Sequence, residues 1–182
     1  MEAKKFSVHI KGIAPLLMHG LNAKMLDNST IKSSTTDYSE EWKKTAYHNG
    51  DNFFIPAVNV EASIRDAGKQ QKVKKVYLTK AVKSSLFIDE DDIPLLINGE
   101  VAKDWEEAEV DIRPVTVQRA RILRSRAKFP VWELKFTLQS YHSVLDENVI
   151  RELITKAGMQ EGVGDFRPRF GRFTLVSLES IE

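Results

Sequence analysis

Two arginine clusters are the residues best suited to chemistry in this sequence. Arg113, Arg119, Arg121, Arg124 and Arg126, with Lys128, follow one another with no acid between 113 and 128. Arg167, Arg169 and Arg172 lie among Phe166, Phe170 and Phe173 at the end of the run Gly162-Val163-Gly164-Asp165-Phe166-Arg167-Pro168-Arg169-Phe170-Gly171. The planar guanidinium fork matches phosphate geometry, and aromatic side chains alternating with bases stack nucleobases while the backbone charge is neutralised. Glycine lets a backbone approach a ligand closely, and successive exposed N–H groups cradle an anion. The pattern predicts a surface for single-stranded RNA or DNA made of Arg119, Arg121, Arg124, Arg126, Lys128, Gly162, Gly164, Phe166, Arg167, Arg169 and Arg172.

Other chemistries find less support. Gly162 and Gly164 begin a G-x-G, but the third glycine of a dinucleotide fingerprint would fall at Arg167, and the loop follows a helix and precedes a strand, the reverse of that motif. There is no G-x-x-x-x-G-K-[ST] run. His9, His19, His48 and His142 show neither H-E-x-x-H nor H-x-H spacing. His19, between Pro15 and Gly20, is the candidate for general acid–base work, with His9 second. Asp89, Glu90, Asp91 and Asp92 lack the order of a calcium loop and read as a solvated acidic turn. No metal site and no cofactor are predicted. The absence of cysteine excludes a disulfide scaffold, thiolate metal sites and a cysteine nucleophile, and suits a reducing cytoplasm. No apolar run is long enough for a membrane span, and Met1 to Lys5 leads into a strand pattern rather than a signal peptide.

The elements that must position these residues can be traced by periodicity. Phe6, Val8 and Ile10 alternate with Ser7, His9 and Lys11 as a half-buried strand stopped by Gly12 and Pro15. Residues 21–36 read as a polar loop. A short helix capped by Asp37 or Ser39 would carry Trp42 and Tyr47 as packing aromatics and end at Asn49-Gly50. Phe53 to Pro56 is extended. Asn59 is read as the cap of a second helix with Val60, Ile64 and Ala67 on one face. Val76 to Ile88 predicts one or two strands. Val110 to Val117 and Trp132 to Gln139 are strands, with the arginine-rich segment connecting them as a hairpin or strand extension. A third helix starts at Asp146 and presents Val149, Ile150, Leu153, Ile154 and Ala157, with Gly158 as a left-handed C-cap. Arg172 to Leu178 is the last strand. The order predicts an α+β, ferredoxin-like or RRM-like antiparallel sheet with two packed helices, an inserted hairpin and a C-terminal glycine-rich loop.

At 182 residues the chain fits a single domain, 1–182, with a large core. Its net charge of +1 conceals segregation. Arg65 to Lys83 carries seven bases against Asp66, and Asp89 to Asp111 carries ten acids against Lys103. The acidic stretch, with its Asn98-Gly99 turn, reads as an insertion at about 89–109.

The layout resembles the RAMP superfamily, whose RRM-like members form the backbone subunits of CRISPR effector complexes. The resemblance rests on the opening strand with Gly12-Ile13-Ala14-Pro15-Leu16-Leu17-Met18-His19-Gly20, the helix after Phe54-Ile55-Pro56-Ala57, and Ala157-Gly158 through Phe173, where Gly162, Gly164 and Gly171 match the position of the family's glycine-rich loop. The chain also resembles small phage proteins ending in a Gly-Asp-Phe-Arg-Pro-like segment, so a free-standing phage-encoded relative fits too. The resemblance implies nucleic-acid binding, of RNA or of DNA; the leading reading is a non-catalytic protein of the bacterial or phage-infected cytoplasm. Acidic and basic segments together predict head-to-tail self-association along the strand. The alternatives are a metal-independent RNA endonuclease of the same fold, or a phage accessory protein that binds a host defence protein through its charged segments.

Overall fold

A computed structural model describes residues 3–20, 38–69, 71–117 and 119–181. The polar loop expected over 21–36 and the cap at Asp37 lie outside the described residues. The strands are β1 (Lys4–Gly12), β2 (Leu16–Met18), β3 (Phe54–Pro56), β4 (Lys72–Val73), β5 (Val76–Tyr77), β6 (Leu86–Ile88), β7 (Asp92–Ile97), β8 (Glu100–Val101), β9 (Glu109–Val117), β10 (Ala120–Phe129), β11 (Glu133–Ser140) and β12 (Phe173–Ile181). The helices are α1 (Tyr38–Thr45), α2 (Ala57–Ala67), α3 (Leu78–Ser85) and α4 (Glu147–Lys156).

The main sheet runs β12-β1-β11-β7-β3, with β6 also paired to β11. Every pairing in it is antiparallel. Taking β6 and β7 together as the second strand, β12-β1-β11-β6/β7 is the ferredoxin-like order, with α2 and α4 as its two helices. The alternation predicted for β1 holds: Phe6, Val8 and Ile10 are buried, and Leu134, Phe136 and Leu138 of β11 are buried opposite Ile10, Val8 and Phe6. Each such side chain contributes roughly 1.5–3 kcal/mol of transfer free energy. On the outer face His9 and Lys11 both pair with Glu133 across the strands, at 2.8 and 3.3 Å. Burial pushes the Glu133 carboxyl up, but the hydrogen bonds and charges of His9 and Lys11 outweigh it and hold its pKa below the usual range. His9 is therefore part of a structural ion cluster.

Three local readings change. Val76 to Ile88 contains a helix, α3, between two short strands; Leu78, Ala81 and Val82 are buried at helical spacing, not in the alternation of a strand. Helix α2 begins after Pro56 rather than at Asn59. Helix α4 starts as predicted, with the Asp146 carboxylate accepting from Val149 N–H at 3.0 Å, but it does not stop at Gly158. It continues as a π-helical turn, Ala157–Glu161, and the left-handed residue after it is Gly162, at φ +71°. Gly158 is instead a close-packing site, where an added Cβ would lie 2.1 Å from the Phe173 carbonyl.

The acidic segment read as an insertion at 89–109 supplies β7 to the main sheet. Ile93 and Leu95 are fully buried, and β7 pairs with β3 and β11. Its acids hold neighbours in place: the Glu90 carboxylate accepts from Thr137 N–H at 2.9 Å, and Asp89 pairs with Lys5 at 3.5 Å. The long basic hairpin is β9–β10, which pairs over Glu109 to Lys128 and joins β2 in a separate three-stranded sheet, β2-β10-β9.

Candidate nucleic-acid interface

The glycine-rich loop is built on the β1–β2 connection. Its base closes through Val163 N–H to the Gly171 carbonyl at 2.9 Å. Asp165 N–H donates to the Leu17 carbonyl and Gly171 N–H to the Pro15 carbonyl, both at 2.8 Å. Gly164 has φ +78°, and a Cβ there would sit 2.5 Å from the Leu17 carbonyl oxygen. This glycine therefore brings the loop against the chain's own β2, a different close approach from the one toward a ligand that the sequence suggested. Gly162 is buried against the Phe170–Gly171 backbone.

Loop and hairpin meet. Period-two geometry places Asp111 and Arg113 of β9 opposite Arg126 and Arg124 of β10 on one face of the ribbon. The Arg126 Nε donates to Asp165 of the loop at 2.5 Å. The Arg113 guanidinium lies 4.7 Å from the Phe170 ring centroid and 5.5 Å from that of Phe166, and is fixed by two hydrogen bonds to Asp111 at 2.5 and 2.6 Å. Arg126 lies 5.9 Å from the Phe166 centroid. Phe166 and Phe170 meet edge to face at 6.0 Å. Phe166 is held at φ +57° with 41% of its surface exposed.

The predicted bases fall into two groups. Arg124 donates to buried Glu41 at 2.7 Å, Arg126 pairs with Asp165 and is only 5% exposed, and Lys128 pairs with Glu109 at 2.7 Å. Arg119, Arg121, Arg167, Arg169 and Arg172 form no ion pair with any described residue. Arg119 occupies the turn of β9–β10 at φ +69° and is exposed, as is Arg121 beside it. Arg167 makes one long hydrogen bond, 3.4 Å, to the Gly162 carbonyl. Arg169 and Arg172 line an open cleft of 780 Å³ with Ile13, Ala14, Pro15, Met159, Gln160, Pro168 and Phe170.

His19 lies at the inner edge of this region. Burial pushes its pKa down, as do Arg126 and Arg124; Asp165 and Glu41 pull the other way and lose. The neutral ring is thereby favoured. Its Nε2, Arg126 Nη1 and Arg172 Nε are buried with no hydrogen-bond partner among the described residues. Buried polar groups without partners are costly; of these three residues Arg172 lines the open cleft, where its Nε is suited to a ligand's oxygen or a bridging water.

Sequence reasoning placed Arg113 in the basic run but not on the binding surface, and did not find Asp165, Asp111 and Glu41 as parts of this region, nor Ile13, Met159 and Gln160 as cleft residues. The Asp111-x-Arg113 spacing on a strand was a usable signal, because i and i+2 share a face. Glu41 had none, being 83 residues from Arg124. Among the described residues no helix is long and apolar enough to cross a membrane.

No protein-family model matches the sequence, and no curated protein matches it. Solved structures do share its fold. One is a chain of the Type III-B Cmr-beta complex bound to cognate target RNA, with a TM-score of 0.61 at 12% identity. The likeness covers 100% of this chain, which spans 61% of that one. Another is Cmr6 from Pyrococcus furiosus, with a TM-score of 0.51 at 11% identity over 96% of this chain and 99% of that one. The fold is RAMP-like.

Proposed function

We propose that the chain binds single-stranded RNA without cutting it, on the surface where the β9–β10 ribbon meets the glycine-rich loop. The observation that carries the reading is the division of labour among the arginines. Arg113, Arg124 and Arg126 are paired to acids and hold ribbon, loop and Phe166 in one arrangement. Arg119, Arg121, Arg167 and Arg169 are exposed and have no acid partner among the described residues. In this reading they contact phosphates, Phe166 stacks a base, and Arg172 lends a polar atom to the cleft. The RAMP-like fold, shared with a complex that binds target RNA, supports RNA over DNA.

Head-to-tail association extends the reading. The acidic end formed by β7, β8 and the turn at Trp105–Glu107 would meet the basic ribbon of the next copy, an open heterologous contact. Sedimentation at low salt should then show RNA-dependent oligomers.

Fluorescence anisotropy with labelled single-stranded RNA and DNA across a salt series tests the proposal. In log–log form the binding slope should be about −0.7 per phosphate contact, and Arg119→Ala/Arg121→Ala/Arg169→Ala should flatten it by about 2. Absence of binding to single-stranded RNA at low salt would overturn the reading. RNA cleavage in EDTA that disappears in His19→Ala would replace it with an endonuclease.

A further inference from the structure

The lysine-rich segment after α2 takes no part in the ribbon–loop surface, yet its structure is specific. Lys72–Val73 and Val76–Tyr77 pair as a hairpin whose two-residue turn is Lys74-Lys75. Both turn residues have positive φ, +48° and +68°. That is the type I′ pattern, for which Asn-Gly is the usual solution, because a side chain with a Cβ is sterically disfavoured there. The chain instead places two ammonium groups at the tip. Strain retained at a defined turn is a pointer to function. The β7–β8 turn shows the usual solution, Asn98-Gly99 at φ +53° and +87°, whereas the β9–β10 turn, like this one, holds a base, Arg119, at φ +69°.

Two further features separate this hairpin from a merely solvated charge run. Tyr77 is 54% exposed, and the Lys72 ammonium lies 4.0 Å from its ring centroid. An exposed ring flanked by cations is a base platform in miniature. The one acid in the segment, Asp66, is already engaged by Arg65 at 3.0 Å and Lys69 at 3.7 Å. Lys72, Lys74, Lys75, Lys80 and Lys83 have no ion-pair partner among the described residues. Glu152 of α4 lines the cleft of 390 Å³ between the hairpin and α4, together with Lys72.

We propose that the β4–β5 hairpin is a second contact surface for single-stranded RNA, with Lys72, Lys74 and Lys75 on phosphates and Tyr77 under a base. It rests on the RNA-binding reading above. The hairpin packs beside the middle of α4, at Val149, Glu152 and Leu153, whereas the glycine-rich loop begins at Gly162, after the π-helical turn that continues that helix. Along the chain's helical path the two surfaces are thus separated by the residues from Glu152 to Gly162, about 15 Å at a helical rise, so one strand long enough to reach along that path engages both.

The test is the variant Lys74→Asn/Lys75→Gly, which supplies the residues a type I′ turn prefers. Its thermal midpoint should equal or exceed that of the parent, which removes misfolding as an explanation. Affinity for a long single-stranded RNA should nonetheless fall on the order of tenfold at 0.1 M salt, with the salt slope flattened by about 1.4. A 5-iodouridine RNA should photocrosslink to Tyr77, and the crosslink should vanish in Tyr77→Leu. Unchanged slope and no Tyr77 crosslink, in a protein whose RNA binding still depends on Arg119, Arg121 and Arg169, would overturn this inference and leave the first reading standing. If the parent binds no RNA, the first reading falls, and this one with it. If the variant loses only a polyglutamate ligand and keeps RNA, the hairpin is a protein contact and the inference is wrong.

Discussion

Asp165→Asn leaves the Arg126 guanidinium, 5% exposed, facing a neutral amide across a 2.5 Å contact. Two unit charges a few ångströms apart attract by about 4 kcal/mol at an effective dielectric of 20. Asp165 has 35% of its side chain in solvent, so screening removes a good part of that. The amide oxygen of the variant would still accept one hydrogen bond. The expected net loss is therefore about 2 kcal/mol, below the ~3–5 kcal/mol for removing one partner of a fully buried pair. For a chain of this size that lowers the thermal midpoint by roughly 4–8 °C. Urea melts of the parent, Asp165→Asn, Arg126→Met and the double variant close a cycle. Arg126→Met keeps the aliphatic bulk and removes the charge, so the double variant should be more stable than the sum of the single losses predicts, by at least about 1 kcal/mol. An Asp165→Asn loss under about 0.5 kcal/mol with additive variants would refute the claim that this pair fastens loop to ribbon.

Phe166→Ala should weaken single-stranded RNA by about 1–3 kcal/mol, the worth of one stacked base. It should lower the melting midpoint only modestly, because the residue is 41% exposed although its ring meets Phe170; anisotropy and calorimetry read the two effects separately. Gly164→Ala combines φ +78° with a Cβ 2.5 Å from the Leu17 oxygen, and should cost about 2 kcal/mol or more in denaturant melts. His19 gives a pH dependence of known sign. Its folded pKa lies below the ordinary 6.5, so the unfolded chain binds the proton more tightly. Stability from this group is complete above about pH 6.5 and is lost as pH falls from there through the folded pKa. Melting midpoints taken from about pH 7.5 down to about pH 5 should fall, and His19→Gln should flatten that part of the curve.

What the sequence made legible follows from what is local. The alternation in β1 and β11, the Asp146 cap and the ferredoxin-like order depend on periods of a few residues and on near neighbours. Helix α3 was hidden because Val76-Tyr77 and Leu86-Phe87-Ile88 are β-prone and flank only eight helical residues. The acidic segment misled for a related reason. Its charge is concentrated at the ends of β7, while Ile93 and Leu95 between them are fully buried.

The candidate site was legible in its two parts but not in its wiring. Between 113 and 128 there is no acid, so the run looks like six equivalent cations. Antiparallel pairing and loop docking then bring acids from elsewhere: Glu109 to Lys128, Glu41 to Arg124 and Asp165 to Arg126. Those contacts cross 19, 83 and 39 residues, and no local charge count reports them. Their effect is to sort the cations. A guanidinium already bonded to a buried carboxylate has little left for a phosphate, but it fixes the backbone that carries its unpaired neighbours. Ordering Arg113 and Arg126 against Phe166 and Phe170 in the free protein reduces the rotamer entropy that binding would otherwise have to supply. On this argument, removing a paired arginine should cost stability first and affinity second, whereas removing Arg119, Arg121 or Arg169 should cost affinity and leave stability alone. That contrast distinguishes a binding surface from a solvated basic face, for which neither class of change would alter affinity.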